Sequence, residues 1–373
     1  MRILQLTAHF SPNLGGVETH LDDLVAGLIK RKYLVTVLTY NPLSADIKTP
    51  FIEQDTNLMI YRLPWIRGFF YKLVSSPILE FIYLFPGLFF VAPFIIFNSK
   101  IEVIHAHGVV AGTVGVFWGK LTGKRVVIST HSLYNFPKKG LYPFFVKQVF
   151  SNADKILCLS KKSVLEFIQL GLPDEKISQF TYWIDFKNFY KKDQLKQKKK
   201  FGLEKYFTVL FVGRLVPEKG VMLLIKALED ISGKIRLVVA GDGPLRNKIV
   251  SIAQNRDQIK YVGKLNNDEL VDYYNAADLL VIPSIHDEGF GRVIIESLAC
   301  GTAVLGSNRG SIPEVVNDKV ARLIDISVKS LKKEIAYLKR NPNVLKKLEI
   351  NSRRFAVSKY SEKNINSIIK SYD

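Results

Sequence analysis

The sequence predicts an α/β chain folded as two parallel-sheet halves, and three observations carry that expectation. Short apolar runs alternate with longer runs that are apolar at helical spacing, from MRILQLTAHF at the start to SLACGTAVLGS near the end. The alternation breaks at a basic, polar stretch, residues 191–205 (KKDQLKQKKKFGLEK), and then restarts, so this stretch reads as an interdomain connection. Glycine-rich turns fall where strands hand over to helices. With 373 residues, 47% hydrophobic and 23% charged, the chain can fill two domains of ordinary size.

In the first half, residues 1–10 read as a strand and residues 17–30 as a helix with Val17, Leu21, Leu24, Val25 and Leu28 on one face. Gly15 and Gly16 lie in the loop between them. Such a pair can let backbone approach a phosphate, or simply make a tight turn. Strands are expected at 33–39, 58–63, 101–106, 124–130, 153–159 and 176–182, with helices at 109–121 and from Ser160 onward. His107 and His131 close two of these strands, where ligands of parallel sheets gather. His105 reads as a packing residue.

Residues 69–98 are conspicuously apolar, and Phe81 to Phe97 carries no charge. Pro86, Gly87 and Pro93 interrupt the run, and a span would put strands of one sheet on opposite sides of a bilayer. The expectation is a helical segment partly in the core and partly dipped into a membrane interface, with a fully buried helix pair as the alternative. Trp65 and the flanking Arg62, Arg67, Lys72 and Lys100 favour the interface.

After the connection the pattern predicts strand 207–212, a loop Gly213 to Gly220 containing Arg214 and Lys219, helix 221–230 and strand 235–240. Gly241-Asp242-Gly243 is not a dinucleotide fingerprint, because Arg246 stands where a third glycine belongs. Strand 259–262 leads to Lys264 and Leu265, a helix runs from Asn267 to Ala276, and strand 278–282 precedes Ser284 to Gly301 (SIHDEGFGRVIIESLACG). Here Glu288 and Glu296 flank a turn of Gly289, Phe290 and Gly291, with a helix starting near Gly291 and Val293 in its first turn. Alone, the two glutamates could be solvated charges. Beside free helix-start amides and the cations Arg214 and Lys219, they suit a diphosphate carrying a sugar on each side. That describes a nucleotide-sugar.

The net charge of +19, from 53 Lys and Arg against 34 Asp and Glu, predicts attraction to anionic surfaces. No nucleic-acid-binding motif occurs, so lipid is preferred over nucleic acid. Cys158 and Cys300 sit in apolar surroundings and read as free thiols of a reducing compartment, without metal-ligand spacing. The amino-terminal residues read as a strand and not as a cleaved leader. No P-loop or metal-held phosphate motif is present, so no metal and no cofactor beyond the nucleotide-sugar co-substrate is expected.

VGRLVPEKG, VAGDGPL, VGKL and PSIHDEGFGRVIIESLACGTAVLGSNRGSIPEVV together resemble the retaining glycosyltransferases of family 4 (glycosyl transferase group 1), and SPNLGGVETH and HAHG fit that family's amino-terminal half. THSLYNF is similar to the subgroup that adds N-acetylglucosamine to phosphatidylinositol. The resemblance implies the GT-B fold: two facing Rossmann-like domains, with the site in the cleft between them. It implies residues 1–185 plus 356–373 as the acceptor-side domain and 186–355 as the donor domain. It further implies a retaining transfer of a hexose or N-acetylhexosamine to a lipid-linked or glycan acceptor, at the cytoplasmic face of a membrane. Arg214 and Lys219 would hold the diphosphate, with Gly213 beside them. Glu288 would contact the sugar and Glu296 the ribose, while the amides around Gly289, Phe290 and Gly291, with Val293, meet phosphate or sugar. Gly15 and Gly16 would lie against the donor, and Lys264 and Leu265 would border the base. His107 would stand near the reacting carbon, with His131 its rival. The family often carries Asn-Gly-Val-Asp where this chain has Tyr182-Trp183-Ile184-Asp185, which puts the local hinge geometry in question. A nucleotide-sugar epimerase of the same shape and a non-catalytic basic membrane-binding protein are the rival readings. Replacing Glu288 or Lys219 by alanine is expected to abolish transfer and leave folding intact.

Overall fold

The computed structural model describes residues 1–13, 15–42, 47–64, 77–229 and 231–373. Trp65, Arg67, Lys72, residues 69–76 of the apolar run and Leu14 lie outside the described residues. The chain divides into two compact units, Met1–Tyr182 with Lys363–Asp373, and Trp183–Glu362.

The first unit is built on β1 (Arg2–Leu6), β2 (Leu34–Tyr40), β3 (Ile52–Asp55), β4 (Leu58–Leu63), β5 (Val103–His107), β6 (Arg125–Thr130), β7 (Lys155–Cys158) and β8 (Ile177–Gln179). Their order among the described residues is β3-β4-β2-β1-β5-β6-β7-β8, parallel except for the β3–β4 pair. Ile3, Leu4 and Leu6 of β1 are all fully buried, as a strand covered by helices on both faces requires. The order reverses between β1 and β5. Loops after two such strands leave for opposite faces, so a crevice opens at their carboxyl ends. Gly15 and Gly16 begin the helix that follows β1, and His107 is the last residue of β5.

The second unit contains β9 (Phe207–Val212), β10 (Ile235–Ala240), β11 (Ile259–Gly263), β12 (Leu279–Ile282), β13 (Ala303–Ser307) and β14 (Ala321–Ile324), ordered β11-β10-β9-β12-β13-β14 and all parallel. Its reversal lies between β9 and β12. Those two strands pair only at Leu279 with Val209 and Leu280 with Leu210, whereas β9 and β10 stay paired through Val212. The helix Val221–Leu228 packs on Val328–Arg340, while Arg292–Ala299 packs on Asn267–Ala276 and Pro342–Lys359.

Residues 191–205 are not a bare connection. Asp193 caps a helix, Gln194–Phe201, by accepting from Lys196 N–H. Lys198 pairs with Asp278 at 2.6 Å, and Lys192 and Lys200 both pair with Asp272. These lysines are held by carboxylates some 70 to 90 positions along the chain, and they belong to the second unit.

The described part of the apolar run forms a helix, Pro77–Asn98, with Pro86 and Pro93 inside it. Leu84, Leu88, Ala92, Ile95 and Ile96 are buried against the sheet core. Pro93 has no N–H for the Phe89 carbonyl, and the Trp118 indole N–H donates to that oxygen at 2.8 Å instead. Near Pro86 the Tyr40 hydroxyl donates to the Leu84 carbonyl at 2.6 Å. Gly87 permits this approach, since a Cβ there would stand 2.5 Å from the Tyr40 hydroxyl. Burial pushes that hydroxyl up to about 12. The Trp118 and Tyr40 bonds tie this helix to neighbours within the first unit. Trp118→Phe keeps the ring but removes the donor, and urea unfolding should show a loss of about 1 kcal/mol; an unchanged midpoint would show that the Phe89 carbonyl does not depend on Trp118.

Candidate functional site

In the second unit the loops after β9 and β12 meet directly. Gly220 lies so close to the Pro283 carbonyl that a Cβ would fall 1.9 Å from it, and its φ of +70 is one that glycine adopts freely. Ile285 N–H donates to the Glu218 carbonyl at 2.9 Å, locking the loops backbone to backbone. Lys219 then reaches across and donates to both carboxylate oxygens of Glu288, at 2.6 and 2.7 Å. The Ser284 hydroxyl donates to the same carboxylate, and the loop after β13 supports it through Ser311 N–H to the Glu288 carbonyl at 2.9 Å.

Glu288 is 7% exposed. Burial acts to raise its pKa and is the largest single influence. The charge of Lys219 and the hydrogen bonds from Lys219 and Ser284 together outweigh it, so the carboxyl sits below the usual glutamate range. Glu288 is an anion here, and its pairing with Lys219 is present above the ordinary glutamate pKa and lost as pH falls through the lowered one. Breaking so buried a pair from one side strands a charge, at a cost of about 3–5 kcal/mol. That corrects the expectation that Lys219→Ala leaves folding untouched.

The helix Arg292–Ala299 begins at Gly291, in the left-handed conformation with φ +82, and among the described residues no side chain caps its first turn. Its leading amides and dipole therefore offer positive potential beside Glu288. Phe290 packs its ring on Tyr360, and Val293 is partly exposed one residue inside the helix. Glu296 is buried, held by Arg292 Nε at 3.1 Å and the Tyr274 hydroxyl at 2.8 Å. Both of its oxygens are engaged within the unit. Arg214, in contrast, is exposed and makes no ion pair among the described residues. Gly213 and Gly263 end neighbouring strands on either side of Gly241, and Lys264 and Leu265 continue from Gly263. A cavity of about 470 Å³ beside Leu265 is lined by Asp268, Glu269 and Asp272 against Lys200, the wrong balance of charge for a diphosphate.

In the first unit the candidate residues cluster at the β1–β5 reversal. Gly15 and Gly16 open the helix Gly16–Lys30 and are exposed. His107 Nδ1 lies 3.0 Å from His131 Nε2, and His107 Nε2 lies 2.8 Å from Gln5 Oε1. His131 Nδ1 meets the Tyr182 hydroxyl at 2.9 Å. His105 belongs to the same cluster, between Tyr372 at 2.8 Å and Ser129 at 2.7 Å. Burial lowers His105 and His131 to about 3, with the neighbouring His131 a lesser influence on His105, and burial followed by the adjacent imidazoles lowers His107 well below its usual value. All three rings are neutral at physiological pH. His107 and His131, read as rivals, are hydrogen-bonded partners.

Sequence reasoning missed Gln5, Tyr182, Ser284, Tyr274 and Arg292. Only Ser284 and Arg292 stand inside a stretch that composition singles out; Gln5, Tyr182 and Tyr274 become visible when segments far apart in the chain are brought together.

Residues 193–355 match the family model for glycosyl transferases group 1, and residues 14–186 match that for glycosyltransferase family 4. An uncharacterized glycosyltransferase of Methanocaldococcus jannaschii is 28% identical over 100% of this chain and 98% of its own length. The gpi3 subunit of phosphatidylinositol N-acetylglucosaminyltransferase from Schizosaccharomyces pombe is 27% identical over 84% of this chain and 67% of its own. Among solved structures, Anabaena HepE in complex with UDP has a TM-score of 0.80 at 20% identity, covering 99% of this chain and 98% of that one. Sucrose-phosphate synthase from Thermosynechococcus elongatus reaches 0.82 at 21% identity, covering 100% and 98%. With both halves matched by family models and the whole chain sharing the GT-B fold of these structures, the protein belongs to the family 4 (group 1) glycosyltransferases.

Proposed function

We propose that the protein transfers a hexose or N-acetylhexosamine, with retention, from a nucleoside-diphosphate sugar to a lipid-linked or glycan acceptor at a membrane surface. The observation that carries this reading is the charge layout at the β9–β12 reversal: an exposed Arg214, the Lys219–Glu288 pair and an uncapped helix start at Gly291. Two cations and a helix dipole offset the charge that grows on a departing nucleoside diphosphate. Glu288 accepts from sugar hydroxyls, and its bond with Lys219 fixes where it stands. Glu296 takes the ribose hydroxyls by exchanging or sharing the Tyr274 or Arg292 bond. The amides near Phe290 and Gly291 meet phosphate, and Leu265 with Lys264 borders the base. Gly15, Gly16 and His107 serve the sugar side. Support for the donor class comes from HepE, crystallised with UDP and with UDP-glucose.

Glu288 and Glu296 are already committed to hydrogen bonds, so neither is poised as a nucleophile for a covalent sugar intermediate. Front-face attack, with the leaving phosphate accepting the acceptor's proton, fits that arrangement. Arg214→Ala removes an exposed cation that no carboxylate holds among the described residues, and should lower transfer at least a hundredfold, about 3 kcal/mol, with an unchanged melting temperature. Lys219→Ala should lose both transfer and several degrees of melting temperature. Near-normal turnover in Arg214→Ala would refute the clamp, and isomerised donor formed without acceptor would favour an epimerase.

The acceptor class rests on the outer face of the helix Pro77–Asn98. Among the described residues it is the one helix long and apolar enough to cross a membrane. Its inner face is packed on the sheet, so it suits lying in an interface better than spanning. Ile78, Ile82, Phe90, Phe94 and Phe97 are exposed at spacings of one or two turns, with Phe90 and Phe94 each 68% exposed. Phe81 contacts Phe145, which links this face to exposed Leu141 and Phe144, and Lys100, Lys120, Lys138 and Lys139 are exposed nearby in sequence. Support also comes from the relatives named for their activity on phosphatidylinositol. Phe90→Glu with Phe94→Glu should reduce sedimentation with phosphatidylserine vesicles about tenfold or more and leave stability unchanged. Wild-type protein that stays in the supernatant would contradict the membrane reading.

A further inference from the structure

Four side chains of the first unit form a single file: Tyr182, His131, His107 and Gln5. A neutral imidazole has one donor and one acceptor nitrogen, so two linked neutral rings can only point the same way along the file. Two polarities are therefore self-consistent, and the ends decide between them. At one end Gln5 turns its carbonyl oxygen to His107 Nε2, with its amide nitrogen 3.5 Å from the Tyr372 hydroxyl. At the other stands a phenol, a better hydrogen-bond donor than acceptor.

We propose that Tyr182 is a positioning residue for the transfer: by donating to His131 Nδ1 it fixes His131, and through it His107, as the Nε2–H tautomer. His131 Nε2–H then donates to His107 Nδ1, and His107 Nε2–H donates to the Gln5 carbonyl. The proposal rests on the reading of His107 as the histidine nearest the donor sugar.

Tyr182 is well placed for this. It is the last residue of the first unit before the chain passes to the second. Its carbonyl accepts from Asn364 Nδ2 at 3.1 Å, and its ring is stacked on His20 with centroids 4.2 Å apart. The phenol is 2% exposed and cannot swing away. This is the position where the family pattern often has asparagine, whose side chain is too short to substitute for the phenol in this contact. Both ring nitrogens of His107 are engaged, so a sugar hydroxyl that bonds to the ring displaces Gln5 or His131.

Long-range ¹H–¹⁵N spectra of histidine-labelled, ligand-free protein read the tautomers directly. The wild type should show His131 and His107 protonated at Nε2 alone. Tyr182→Phe keeps the stacked ring but removes the donor, and should bring Nδ1–H signals from both. Turnover should fall about tenfold, the size of one lost hydrogen bond, with the donor KM held within about twofold. Tyr372→Phe is the control, expected to disturb His105 and leave the other two rings as they were. Nδ1–H signals from His107 or His131 in the wild type, or unchanged spectra in Tyr182→Phe, would overturn the proposal even if turnover fell. Equal scrambling by Tyr372→Phe would overturn it as well. Absence of transfer by the wild type with every donor would sink the function proposed above and leave these tautomer results standing.

Discussion

Everything at the proposed donor site depends on how little β9 and β12 pair. Two registered residue pairs hold the strands side by side, and beyond Leu210 and Leu280 the chains part. The loops that leave the two strands are then forced into contact by backbone alone, Gly220 against Pro283 and Ile285 against Glu218. Lys219 and Glu288 stand 69 positions apart in the chain, yet they meet because these two loops have nowhere else to go. A parallel sheet that reversed its order elsewhere would scatter the same residues.

The two units treat charge in opposite ways. The second concentrates it: a buried anion paired with a cation, an exposed arginine and an oriented helix start. The first strips it away, leaving three histidines neutral through burial and joined by directional hydrogen bonds. In the proposed reaction the first arrangement would stabilise a developing negative charge, while the second holds polar atoms at fixed places without adding charge of its own. Net positive charge over the whole chain is a separate matter, since most lysines are surface groups or, as at Lys198 and Lys200, partners of local carboxylates.

Much of this is legible from residue order. Strand 235–240 and the helix Asn267–Ala276 are expected at their observed bounds, because apolar periodicity marks them locally. β3 escapes such a reading, since all four of its residues are exposed and no alternation distinguishes it. The helix Gln194–Phe201 reads as a connection because its lysines look solvated until Asp272 and Asp278 are brought alongside. The stretch around Glu288 stands out by its own composition. The partners of His131 and Glu296 do not: Tyr182 and Tyr274 contribute through hydrogen bonds to strand-end or helix residues far along the chain, and nothing in their immediate sequence reports it.

In the proposed function the second unit grips a diphosphate through side-chain cations and one helix start. Melting curves of the wild type and Arg214→Ala with UDP, GDP and ADP test it most directly, because binding to the folded state alone raises the melting temperature. One of the three should stabilise the wild type by several degrees and the variant far less. A wild type indifferent to all three, or a variant stabilised as strongly as the wild type, would contradict the account.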